Sequence, residues 1–75
     1  MDDKETFRKK LGKHLRRVRE KHGKSLKEFE AHDNSIDRHM LSKIETGNRF
    51  PTIYTLYKIS KTLGINLSDL FNNFK

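Results

Sequence analysis

The apolar residues of this 75-residue chain recur every three or four positions, and no segment alternates apolar and polar residues with a period of two. This spacing is typical of amphipathic helices and argues against half-buried strands. Glycines, capping residues and the single proline divide the chain into five such segments. We therefore predict one all-α domain over residues 1–75, a compact bundle of five short helices.

The first two helices each have a start signal. Asp2 or Asp3 can cap the first helix, and Gly23 ends it. Its apolar stripe, which we expect to be buried, consists of Phe7, Leu11, Leu15, Val18 and His22. Ser25 and Glu28 form a capping box that opens the second helix. Its clearest core residue is Phe29, and Asn34 suits the turn that follows it.

A third helix is marked at both ends. Asp37 can cap its start, while Ile36 and Leu41 are spaced for a hydrophobic staple. Gly47 lies where a helix end favours the left-handed conformation. Leu41 and Ile44 form a narrow apolar face, and the opposite face consists of His39, Ser42, Lys43 and Thr46. A short helix with such a polar, basic face suits the major groove of DNA.

Two further helices complete the predicted bundle. Thr52 caps the fourth helix and Gly64 ends it. Its expected apolar face consists of Ile53, Leu56, Ile59 and Leu63. Asn66 caps a short fifth helix, with Asp69 at its third position. The apolar residues of this last segment are Ile65, Leu67, Leu70, Phe71 and Phe74.

The positive charge of the chain is unevenly distributed along the sequence, and this indicates the kind of partner. The formal net charge is +7, and residues 1–24 carry +6 of it, with ten lysines and arginines against four carboxylates. Such a basic balance favours an anionic partner, most often nucleic acid, although it also serves solubility alone. The basic first helix could instead lie on a membrane, but it lacks Trp and its apolar stripe is needed for the core.

The absence of cysteine excludes disulfides, thiolate zinc sites and cysteine nucleophiles, and it fits a reducing cytosol. We expect no signal peptide and no membrane span, because the chain starts with polar, acidic residues and contains no long apolar run. The expected location is the cytoplasm.

Short motifs follow one another in order between Leu11 and Phe71. They read LGKHLRRVR, SLKEF, LSKIETG, PT and LSDLF. In this order and spacing the chain resembles the Cro and phage-repressor type of helix-turn-helix domain, the xenobiotic-response-element family of bacterial transcriptional regulators. The resemblance implies a lambda-repressor-like DNA-binding fold with the helix-turn-helix at about 25–46. It also implies a recognition helix at about 37–46 in the major groove. The location implied is the bacterial cytoplasm, in association with the nucleoid.

The chain departs from the family pattern between the second and third helices. The stretch between Phe29 and Ile36 is one residue longer than usual, Glu30 stands where the family has a small alanine, and the usual turn glycine is absent. A longer second helix or a bulged turn would accommodate the extra residue. Either would alter the angle at which the third helix meets DNA.

The resemblance, carried over by position, implies which residues of the third helix face base edges: Arg38, His39, Ser42 and Lys43. Arg38 or Lys43 would read guanine, whereas His39 and Ser42 are more ambiguous readers. The alternative is a helix face that is merely solvated. Met40 flanks the apolar face, where it is either half-buried or in contact with a thymine methyl group.

Two segments are expected to contact phosphates. The free N–H groups and dipole at the start of the second helix suit an anion. This segment consists of Lys24, Ser25, Leu26 and Lys27. Ser25 either serves only as the helix cap or serves as the cap and also contacts a phosphate. The second segment follows the third helix and consists of Thr46, Asn48 and Arg49.

Two further sets of residues concern scaffold and assembly. Arg19 and Glu45 resemble the family's structural ion pair between the first and third helices, and a bidentate bridge would fix the recognition helix. Aromatic residues on the last two helices exceed what a small core can cover, and they are Tyr54, Tyr57, Phe71 and Phe74. Exposed aromatics often mark an interface, so we predict a weak homodimer through the fifth helix and its flanks.

An enzyme is not expected. The four histidines lack i, i+4 pairing and the HExxH pattern of a zinc site, and there is no glycine-rich phosphate loop. We therefore expect no catalytic residue, metal or cofactor.

The sequence favours a regulator that binds double-stranded DNA, a repressor acting as a homodimer on a palindromic operator. The alternative is a protein-interaction module, such as an antitoxin-like partner that binds a second protein through the basic first helix. We expect no toxin-binding tail beyond Lys75, which disfavours this alternative.

Overall fold

The computed structural model describes residues 3–32 and 36–74, and the regular elements of these ranges are helical. Helix α1 spans Lys4–Lys21, α2 spans Leu26–His32, α3 spans Arg38–Glu45 and α4 spans Ile53–Leu63. The all-α prediction is confirmed, whereas the predicted count of five helices is wrong. Within the described ranges there are four α-helices and a 3₁₀ turn at Ser68–Phe71.

The predicted fifth helix is a 3₁₀ turn and not an α-helix. Its backbone N–H groups donate to carbonyl oxygens three positions earlier, as from Leu70 to Leu67 and from Asn72 to Asp69. Gly64 and Asn73, with positive φ of 73° and 66°, lie on either side of this segment. Asp69, predicted at the third position of this segment, accepts from the backbone N–H of Asn66 at 3.3 Å, which is one half of the predicted capping arrangement. The residue that caps the 3₁₀ turn is Leu67, which makes no side-chain capping hydrogen bond. Leu70 is fully buried and anchors the turn.

The other predicted start signals form as expected within the described ranges. Asp3 accepts from the backbone N–H of Thr6 at 2.8 Å, and Asp37 accepts from that of His39 at 2.8 Å. Thr52 likewise accepts from the N–H of Thr55 at 3.1 Å. The turn predicted at Asn34 and the alternative cap at Asp2 lie outside the described residues.

The core draws on every helix and on the 3₁₀ turn. It consists of Leu11, Leu15, Phe29, Ile36, Leu41, Ile44, Leu56, Ile59, Leu63 and Leu70. Three residues predicted to be buried are exposed: Phe7 by 40%, Ile53 by 71%, and His22. Phe7 and Ile53 lie in the first turn of their helices, and His22 is the C-cap of α1. His14, in contrast, is buried and its Nε2 lies 2.7 Å from the Leu70 carbonyl oxygen.

Helices α1 and α3 approach most closely at Gly12. A Cβ atom at this position would overlap the backbone carbonyl groups of Ile44 and Glu45. Only glycine therefore lets the backbone of α1 lie directly against the end of α3. This contact fixes the depth at which α3 sits in the bundle.

Candidate nucleic-acid interface

The outer face of α3 is polar and faces solvent. Arg38, His39 and Lys43 are exposed, and Ser42 is half-buried between them. The structure thus brings the four expected base-reading residues together on one side of the helix. The opposite side buries Leu41 and Ile44. Met40 is half-buried and packs against the core.

A buried ion pair holds the end of α3 to α1. Arg19 donates to Glu45 through Nε at 2.8 Å and through Nη2 at 3.0 Å, which is a bidentate arrangement. Its Nη1 donates to the Lys24 carbonyl oxygen at 2.7 Å. The hydrogen bond to Glu45 raises the pKa of Arg19 above its ordinary value. One guanidinium therefore connects α1, the loop before α2, and α3.

A second link reaches the start of α3 from α2. The carboxylate of Glu30 accepts a hydrogen bond from the backbone N–H of Arg38 at 3.2 Å. Asp37 already accepts from His39, so two carboxylates serve the first N–H groups of α3. Sequence reasoning singled out Glu30 as unusual but missed this role. The sequence does contain a signal for this role, because Glu30 is a carboxylate near the end of one predicted helix and shortly before the N-terminus of the next.

The start of α2 is capped from within the chain. Ser25 Oγ accepts from the Glu28 N–H at 3.1 Å, while the Glu28 carboxylate accepts from the Ser25 N–H at 2.9 Å. The hydrogen bond from the Ser25 N–H lowers the pKa of Glu28. Among the expected phosphate-contacting residues here, Ser25 and Lys27 are exposed, and Lys24 and Leu26 are half-buried.

The second expected phosphate-contacting segment forms an ordered turn after α3. Thr46 Oγ1 donates to the Ser42 carbonyl oxygen at 2.9 Å, and Asn48 Nδ2 donates to Thr46 Oγ1 at 2.9 Å. Thr46, Asn48 and Arg49 are exposed. Arg8 Nε donates to the Gly47 carbonyl oxygen at 2.7 Å, a contact that sequence reasoning did not anticipate. The turn is thus attached to α1.

The four aromatic residues expected at a dimer interface fall into two groups. Tyr54 and Tyr57 on α4 are exposed by 66% and 45%, and their rings stack with centroids 6.4 Å apart. Phe71 and Phe74 are half-buried, and their ring centroids lie 6.4 and 5.0 Å from that of His14 on α1. The tyrosines therefore present more free apolar surface than the phenylalanines.

Across residues 3–32 and 36–74, no three His, Asp or Glu side chains are grouped so that they could hold a metal ion. None of the helices in these ranges combines the length and the apolar character needed to cross a membrane.

Comparison with known proteins agrees with this geometry. A family described as a helix-turn-helix domain matches residues 12–74. An uncharacterized HTH-type transcriptional regulator of Sinorhizobium fredii, y4dJ, is 35% identical over 64 residues, which cover 85% of this chain and 82% of that protein. The control protein C.MunI of a Mycoplasma species is 35% identical over 66 residues, covering 88% and 89% of the two chains. The chain belongs to the Cro/C1-type helix-turn-helix family of DNA-binding transcriptional regulators, and the resemblance inferred from its motifs is confirmed.

Proposed function

We propose that this protein is a repressor that binds double-stranded operator DNA as a homodimer, with α3 in the major groove. The observation that carries the proposal is the exposed polar face of α3 on a helix fixed to α1 and α2. Gly12, the Arg19–Glu45 pair and Glu30 hold its backbone, so its outer side chains are presented in a defined orientation. We place its action on DNA in the bacterial cytoplasm.

Base reading is assigned to the outer face of α3. Arg38 and Lys43 can each donate to guanine O6 and N7, and His39 and Ser42 contribute less selective hydrogen bonds. Arg38 lies at the start of the helix and Lys43 lies about a turn and a half later. The two residues would therefore read different base pairs within one half-site. The helix-turn-helix spans about 25–46 within a single domain.

Backbone binding is assigned to the two segments that flank this face. Lys24, Ser25, Leu26 and Lys27 lie at the start of α2, and Thr46, Asn48 and Arg49 follow α3. Contacts of this kind position the protein on the duplex but carry no sequence information. The capping of Ser25 by Glu28 leaves Lys27 as the most accessible charge of the first segment.

A homodimer would match the symmetry of a palindromic operator. One domain reads few base pairs, and two copies on half-sites about 34–36 Å apart raise specificity. We assign the main contact to Tyr54 and Tyr57, with a smaller share for Phe71 and Phe74. The test is the molar mass at high protein concentration, free and on DNA. A dimer that is weakened by Tyr54→Ala together with Tyr57→Ala supports the assignment, and a monomer under all conditions refutes it.

The DNA-binding proposal itself is tested by selecting sites from random duplexes with the wild-type protein. We expect an enriched palindromic motif. Log affinity for that motif should fall linearly with log salt, with a slope of about −0.9 for each phosphate neutralised. Binding that is negligible at low salt would refute the proposal. Stoichiometric capture of a protein partner in its place would favour the interaction-module alternative.

A further inference from the structure

Two cations flank the N-terminal end of the apolar stripe of α1. Phe7 continues the stripe four residues before Leu11, and its ring centroid lies 6.3 Å from that of Phe50. Arg8 and Lys4 lie at the edge of this stripe, three and seven residues before Leu11. The first two turns of α1 therefore carry two cations next to Phe50, which follows the turn after α3.

That end of α1 lies against the turn after the recognition helix. Arg8 donates to the carbonyl oxygen of Gly47, which lies between Thr46 and Asn48 in the chain. The Arg8 guanidinium and the Lys4 ammonium lie 5.5 and 5.9 Å from the ring centroid of Phe50. Both cations therefore sit beside the segment to which phosphate contact has been assigned.

The carboxylates of the same helical turn are engaged within α1. Asp3 caps the helix by accepting from Thr6, and Glu5 lies 3.2 Å from the ammonium of Lys9. These contacts leave a positive excess on Lys4, Arg8 and the neighbouring Arg49. We call these three residues the basic flank.

We propose that the basic flank is a phosphate-binding surface that extends the contact of the recognition helix along the DNA backbone. Its ligand is the phosphodiester backbone of duplex DNA, and the inference rests on the proposed function. Arg8 has two tasks, because it also holds the turn through Gly47. Lys4 is exposed and contributes charge, which makes it the residue that isolates the electrostatic role.

The test compares Lys4→Ala with Lys13→Ala on the selected operator across a salt series. Lys13 is an equally charged, exposed residue of the same helix, about 160° around the helix axis from the stripe. Lys4→Ala should reduce the magnitude of the salt slope by about one, and Lys13→Ala should leave the slope unchanged. The affinity ratio of wild type to Lys4→Ala should shrink about 3.5-fold between 50 and 200 mM salt. Lys4→Arg should retain the wild-type slope.

The outcomes separate this inference from the proposed function. If the wild type fails to bind duplex DNA, the proposed function is wrong and the inference falls with it. If the wild type binds and Lys4→Ala behaves like Lys13→Ala, the inference alone is wrong. Circular dichroism of both variants checks that α1 remains folded, so that a changed slope reports lost charge. A change in the selected motif with Lys4→Ala would also contradict a backbone contact.

Discussion

Arg19 shows how one side chain can orient an element that it does not belong to. Its guanidinium makes hydrogen bonds to Glu45 on α3 and to the Lys24 carbonyl group before α2. Both members of the pair are buried, so the gain in Coulomb energy is offset by desolvation. The contribution of the pair is therefore mainly geometric, because the two parallel hydrogen bonds allow little rotation between α1 and α3.

Removing one partner of this pair should be costly. Arg19→Ala and Glu45→Ala should each lower the free energy of unfolding by about 3–5 kcal/mol, because the remaining charge is left buried. The melting temperature should fall by about 12 °C or more. The double variant should lose less than the sum of the single losses. The matched control is the exposed pair Arg16 and Glu20, where the same cycle should give a coupling of at most about 0.5 kcal/mol. Additive losses at Arg19 and Glu45 would contradict the coupling.

Whether a side-chain contact can be predicted from the sequence depends on how close its two partners lie along the chain. The cap at Asp37 and the box of Ser25 and Glu28 involve residues two or three positions apart, and the sequence predicts them correctly. Phe7 and Ile53 have the right helical phase but lie in the first turn of their helices and are exposed, because helical phase alone does not determine the extent of burial. The contact of Arg8 with Gly47 spans 39 positions, and nothing in the local pattern indicates it.

Helix α3 is an element whose position is set from both sides. Gly12 and Arg19 hold its C-terminal end to α1, and Glu30 holds its first residue to α2. The motifs predicted the existence and the limits of this helix. Its angle to α2 was not predictable, because the longer connection and Glu30 break the family pattern there. The predicted fifth helix is a 3₁₀ turn instead, with backbone hydrogen bonds between residues three positions apart.

Glu30 should influence base preference without contacting a base. Glu30→Ala removes the acceptor for the Arg38 N–H, which should cost about 0.5–2 kcal/mol as loss of a helix cap. It should also broaden the selected motif at the base pairs read by Arg38 and His39. Glu30→Gln keeps an oxygen acceptor and should retain the motif. Glu20→Gln controls for the lost charge. An unaltered motif for Glu30→Ala would contradict this role.

The capping box of α2 should make stability depend on pH in acid. The hydrogen bond from the Ser25 N–H lowers the pKa of Glu28 below its ordinary value of 4.5, so this contribution is present above that value. It should be lost as the pH falls through the lowered pKa. Glu28→Gln retains a neutral acceptor, so wild type should melt at a higher temperature near pH 6 and the two should converge near pH 3. A difference in melting temperature between the two proteins that is constant across this pH range would contradict the contribution of the ionised Glu28 to stability.

At the scale of the whole molecule, two kinds of DNA contact are proposed for one side, and they would have different consequences. The outer face of α3 would distinguish base pairs, whereas the segments on either side would hold the backbone. The charge is concentrated in residues 1–24, so most of the long-range attraction arises from α1 and not from the recognition helix. Affinity and specificity should therefore respond to different substitutions.

Substitutions on the outer face of α3 should change specificity, whereas substitutions in the flanking segments should change affinity alone. Arg38→Ala and Lys43→Ala should each cost about 1–3 kcal/mol on the selected operator and relax the preference at particular base pairs. Lys27→Ala and Arg49→Ala should weaken binding to all sequences alike and reduce the salt slope by about one. Selection from random duplexes with each variant, followed by a salt series, measures both effects. If Arg38→Ala and Lys43→Ala leave the motif unchanged, then the longer connection before α3 has turned a different part of the helix toward the bases. The reading residues would then have to be reassigned, with Met40 and Thr46 as the neighbours to test first.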